Sequence, residues 1–209
     1  MSKWTRTALL LLGIGALLVA ASPVLSDDTE KAAMEAPAGI DPAAMEAAWA
    51  KAGAPGENHE FLARLEGDWT FESKMWMDPS APPMESQGAA EKTMILGGRY
   101  LQEESSGEAM GQPFHGRALT AFDNVSGEFA GTWIDNMGTG ILISRGSRDG
   151  DSLTLIGEMT DPMSQQQMKL RMVTRIVDED HHVFDYYVTM PGIPELKQMV
   201  IEYTRKSTE

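Results

Sequence analysis

Leu65-Glu66-Gly67-Asp68-Trp69-Thr70-Phe71 marks the point where the chain changes period. Before it, Glu57 to Leu65 brings Phe61, Leu62 and Leu65 together at helical spacing. After it, Trp69, Phe71, Met75 and Met77 alternate with Thr70, Glu72 and Lys74, with Ser73 on the apolar side and Trp76 as the exception. An apolar residue at every second position marks a strand with one buried face, because successive side chains leave a strand on opposite sides.

The alternation recurs to the C-terminus, punctuated by turn residues. Gly97-Gly98 and Asp149-Gly150 predict tight hairpins, since glycine accepts the positive φ of a two-residue turn. Asn124-Val125-Ser126-Gly127 and Asp178-Glu179-Asp180-His181 predict two further turns. Between Gly67 and Lys206 the runs amount to about ten strands, with no long helical pattern among them. Parallel strands need long crossovers, so this is an all-β antiparallel meander. Closing it into a barrel removes its exposed edges.

Upstream, Asp41-Pro42 is a helix start, with Asp as cap and Pro in the first turn. Met45, Trp49 and Ala52 give that helix one apolar stripe, and Gly53-Ala54-Pro55-Gly56 ends it. Lys3 and Arg6, the apolar run from Ala8 to Ala21 and a small-residue site before Asp27 have the form of a secretory signal peptide. The run is short for a membrane span. The expected organisation is a signal over 1–26, a flexible leader with a short helix over 27–56, and the barrel over 57–209. The mature protein would be periplasmic or secreted, with no stable membrane anchor after cleavage.

The chain has no cysteine, so no disulfide, thiolate metal site or cysteine nucleophile is available. Its formal net charge is -14, and loss of a signal containing two cations and no acid makes it more negative. Nucleic acid is therefore not an expected partner, because phosphate backbones select Lys and Arg clusters. Oligomeric state is not legible.

Assigning faces brings out particular residues. Met199, Ile201, Tyr203 and Arg205 share one side of the last strand, so Arg205 projects among apolar neighbours as Trp69 does on the first. Gly67-x-Trp69 with a basic residue on the last strand resembles the signature of calycin-type barrels, which include lipocalins and fatty-acid-binding proteins. That resemblance makes Trp69 and Arg205 a cation–π pin at the seam, with Gly67 admitting the chain beside the indole. The alternative role for Trp69 is ligand stacking. More specifically, His59-Glu60-Phe61-Leu62, Leu65 to Trp69, Gly97 to Leu101, Pro113-Phe114-His115-Gly116, Phe122-Asp123, Trp133-Ile134-Asp135 and Asp161-Pro162 resemble domain-of-unknown-function family 1579. The resemblance covers about residues 57–206. It implies a calycin-like barrel and no activity.

Five residues are candidates for ligand contact. Trp133 and Asp135 share a face, so the carboxylate could orient a polar group beside the indole; the alternative is a packed Trp and a turn-capping Asp. Arg145 shares a face with Ile141 and Ile143, and an inward Arg would grip a carboxylate with its planar fork. Arg117 lies on an adjoining segment. Either Arg could instead reach solvent or pair with Glu128 or Asp135. His115 stands near a strand start.

No cofactor or metal is implied. His181 and His182 face opposite ways, and a site from Asp178, Asp180 and His182 competes with a solvated turn. The 15 methionines suit a core filler or a Met-lined pocket. There is no nucleophile elbow or zinc-helix motif, and Glu103 and Glu104 diverge. The leading expectation is a barrel binding a small apolar or amphipathic molecule. The alternatives are a hydrolase or isomerase with His115, Asp123 or Asp135 as base, and a solid-core structural or interaction protein.

Overall fold

The computed structural model describes residues 41–207, so the signal segment and the first part of the leader, 27–40, lie outside the described residues. Two helices come first, α1 (Pro42–Gly53) and α2 (Glu57–Ala63). Ten strands follow: β1 (Gly67–Met75), β2 (Met84–Ile95), β3 (Tyr100–Ala109), β4 (Gln112–Asp123) and β5 (Glu128–Asp135). The remainder are β6 (Leu142–Asp149), β7 (Ser152–Thr160), β8 (Gln167–Ile176), β9 (His181–Thr189) and β10 (Leu196–Arg205). Each pairs antiparallel with the next, and β1 pairs with β10 to close the barrel.

The hairpins form where the turn residues stand. Gly97, Gly98, Gly127 and Gly150 all have positive φ. Leu96 joins the first pair at φ 50°, a conformation that costs a non-glycine residue energy. Around the turn its side chain is exposed.

The seam is built on Trp69. Its register partner on β10 is Arg205, whose guanidinium carbon lies 4.1 Å from the indole centroid. Arg205 also donates to three backbone carbonyls, Glu179 O (2.8 Å), Glu66 O (2.5 Å) and Arg64 O (3.0 Å). These tie the α2–β1 corner and the β8–β9 turn to the last strand. The indole N–H donates to Leu65 O at 3.0 Å. Gly67 is at φ 128°, and a Cβ there would collide with Arg205 Nη1. The position therefore requires glycine for both backbone shape and space.

Helix α2 plugs one end of the barrel. Phe61 and Leu62, with Leu65 just beyond, pack against Leu101, Phe129, Leu153 and Ile176, which lie at the matching ends of β3, β5, β7 and β8. Burying one such side chain contributes about 1.5–3 kcal/mol. Helix α1 buries no residue. Asn124 of the β4–β5 turn donates to Ala52 O (3.0 Å) and Ala54 O (2.8 Å), holding the end of α1 to that turn.

Candidate functional site

The barrel interior differs between its two ends. At the α2 end, inward residues such as Trp69, Leu101, Phe129, Leu153, His182 and Tyr203 are buried. At the opposite end, inward Ser73, Met75, Phe114, Trp133, Leu142, Met168, Tyr186 and Met199 are only half-buried. A side chain that points inward keeps accessible surface only where nothing fills the space in front of it. Leu170, Met172 and Val188 form a buried patch on the β8–β9 wall of this half, with Phe184 and Tyr186 packed on it. Inward side chains at the α2 end join one core with Phe61, Leu62 and Leu65, while several at the other end keep accessible surface.

Small residues shape one of those walls. Gly88, Ala90, Ser105, Gly107, Gly116 and Ala118 are the inward positions of the middle of β2, β3 and β4. Larger rings occupy the space they leave. A Cβ at Gly88 would collide with the Phe71 ring, and one at Gly116 with the Trp133 indole.

Trp133 and Asp135 both point inward at the open end. The indole N–H donates to Asp135 Oδ2 at 2.7 Å, and Asp135 Oδ1 accepts the Met137 N–H at 2.9 Å. The carboxylate thus combines the two alternatives, orienting the indole and capping the following turn. With both oxygens engaged, it is poorly placed to serve as a general base.

The other three candidates lie outside the lumen. Arg145 does share its face with Ile141 and Ile143, but that face is the outer one. Arg145 is 62% exposed, and its nearest acid is Glu128 at 4.0 Å. The expectation of an inward carboxylate anchor at Arg145 is therefore corrected: alternation groups residues by face without saying which face is inside. Arg117 is on the outer face of β4 and pairs with Glu104 at 3.1 Å. His115 is on that face too, exposed, its backbone N–H donating to Asn136 Oδ1 at 2.9 Å. Asp123, the remaining candidate base, is exposed in the β4–β5 turn, its carboxyl held below the usual range chiefly by the Val125 N–H and then by Ser126.

His115 and Arg117 instead line an outer groove of about 660 Å³ across β1 to β5, together with Asp68, Glu91, Glu104 and Ile134. Its floor is made shallow by Ala89 and Ser106. The charges along it partly pair with one another and remain open to water, where such pairs contribute little.

The buried cation of the lumen is Lys92, a residue the sequence reading did not single out. Its amine donates to His182 Nε2 at 2.9 Å, pairs with Glu103 Oε2 at 3.1 Å and sits 4.2 Å from the Tyr203 ring centroid. Ser105 donates to Glu103 Oε1 at 2.7 Å. Because an ammonium only donates, His182 Nε2 accepts and Nδ1 holds the ring proton. Nδ1 is buried with no hydrogen-bond partner among the described residues. The imidazole lies parallel to Tyr203 and perpendicular to Trp69, both at 4.2 Å between centroids. Burial, then Lys92 and Arg205, push the His182 pKa down to about 2. His182 is therefore a neutral acceptor within the solid half, and the expectation of a solvated turn at this position is corrected. Asp178 and Asp180 stay exposed, and among the described residues no cluster of His, Asp and Glu is arranged to hold a metal.

Lys92 has three donors and three partners, so its own contacts are complete within the floor, and the His182 Nδ1–H is the one donor of the network left over. Tyr186 differs. It faces the open half, burial pushes its phenol up to about 12, and its O–H has no protein partner among the described residues. It stays protonated at neutral pH and can donate.

Among solved structures, the fold is similar to that of Rv2717c from M. tuberculosis, with 17% identity and a TM-score of 0.54, covering 74% of this chain and 100% of that one. A redesigned β-barrel is similar at 12% identity and a TM-score of 0.39, covering 70% and 95% of the two chains. The first likeness is one of fold, and the second is too low to support a statement. No curated protein matches the chain. The sequence model of a family described as "Protein of unknown function (DUF1579)" matches residues 54–205, and the chain belongs to that family.

Proposed function

We propose that this domain is exported and binds a small amphipathic molecule in the open half of its barrel. The observation that carries the reading is the change along the barrel axis, from buried inward residues beside α2 to half-buried apolar and aromatic ones at the far end. Binding sites of this kind join an apolar wall to a few polar groups. The wall here is Phe114, Trp133, Leu142, Met168 and Met199. The polar group is the Tyr186 O–H, and the solid floor limits how deep a ligand can go. Burial of the ligand's apolar part would supply most of the affinity, at about 25 cal/mol per Å². Export rests on the form of residues 1–26.

The test is native mass spectrometry of protein purified from its own host without detergent, followed by denaturing extraction. The expected result is a mature N-terminus near Asp27 and one small molecule that leaves on denaturation. Protein with an intact N-terminus, and neither a co-purified molecule nor any saturable uptake of added amphiphiles, would overturn it.

A further inference from the structure

The β4–β5 wall at the open end differs from the rest of the lumen in a way that bears on ligand class. We infer that Trp133 and Phe114 form a stacking shelf, and that the ligand of the proposed function contains a flat conjugated ring. The inference rests on that function, since it names what the open half would hold.

Two interior tryptophans have their N–H groups tied down. Trp69 donates to Leu65 O and is covered by Arg205 and His182, leaving it 1% exposed. Trp133 is tied through Asp135, which the Met137 N–H fixes in turn, yet it stays half-buried. The backing explains how it is held. Gly116 lies under the indole, where a Cβ would collide with Cζ2 and Cη2. The benzo edge of the indole therefore lies against Gly116 of β4, and the ring keeps accessible surface. Phe114, the next inward residue on β4, stacks within 18° of parallel to the indole at 6.2 Å between centroids, an offset aromatic pair.

A purely packing tryptophan is covered as Trp69 is, whereas this one keeps accessible surface while its N–H is fixed. Pre-organisation of that kind favours a flat partner, because stacking then costs no side-chain ordering. Aromatic pairs gain interaction beyond the area they bury, and a saturated chain gains the area alone. The Tyr186 O–H offers a donor to an acceptor on the ring or its substituent.

The test compares 2-naphthoate with decanoate, which share a carboxylate and differ in flatness, by calorimetric titration of the mature protein. Wild type is expected to bind 2-naphthoate more tightly. Trp133→Leu should weaken 2-naphthoate roughly tenfold and leave decanoate within about twofold. Asp135→Ala, which frees the indole without removing it, should produce a smaller loss of the same selectivity, and serves alone if Trp133→Leu does not fold. Equal or tighter decanoate binding, or variants that weaken both probes alike, would overturn the shelf while leaving ligand binding intact. Binding of neither probe overturns the shelf together with the reading beneath it.

Discussion

His182 shows how much one buried group can govern. Its folded pKa is depressed to about 2 from an ordinary value of 6.5, so the unfolded chain takes up a proton that the folded chain refuses. The stabilisation is fully present above pH 6.5 and is lost as pH falls toward 2. The slope through that window is about 1.4 kcal/mol per pH unit for one proton. Between pH 6.5 and 5 this residue should cost the protein about 2 kcal/mol, read by urea unfolding at each pH. His182→Gln keeps an acceptor for Lys92 and removes the titration, so its stability should vary less with pH over the same range. An identical pH profile in both proteins would show that His182 is not a buried neutral imidazole. The residue was legible in part: its period matches Phe184, Tyr186 and Val188, although the acidic turn beside it suggested solvent. Lys92 was hidden similarly. It shares its face with Ala90 and Met94, and a charge at such a position reads as a break in the pattern until Glu103 and His182 are seen beside it.

The elements were more legible than the sites they build. Turn residues and alternation indicate about ten strands and four of the turns between them, because the period of a strand and the φ of a glycine turn are local properties. Which face is inner is not local, so for Arg145 the sequence leaves an inward anchor and a solvent-facing pair with Glu128 both open, and the structure has the second. Helix α2 holds to the barrel through apolar contact, whereas α1 is attached at its end by Asn124. Leu62→Ala should therefore cost about 3–4 kcal/mol, since it opens a cavity among Phe61, Leu101 and Phe129. Trp49→Ala, on a helix that buries nothing, should change stability by less than about 0.5 kcal/mol. Denaturant midpoints of the two variants check both values. A large effect at Trp49 would mean that α1 is covered in solution.

At the scale of the whole molecule, the barrel is packed at its α2 end, and inward residues at the other end keep accessible surface. Seam, plug and polar floor gather at one end, where Trp69, Arg205, Lys92 and His182 fix the closing strands. The other end has apolar side chains, a half-buried indole and a phenol with no partner among the described residues. The outer groove with His115 and Arg117 offers water-exposed charge, and the lumen is the site we propose. Methionine methyl NMR tests this most directly, because Met75, Met168 and Met199 face the open half while Met45 and Met163 lie outside it. Titration with 2-naphthoate should shift the first three saturably and leave the other two unmoved. Shifts confined to Met45 and Met163, or to none of the five, would contradict a lumen that receives ligand.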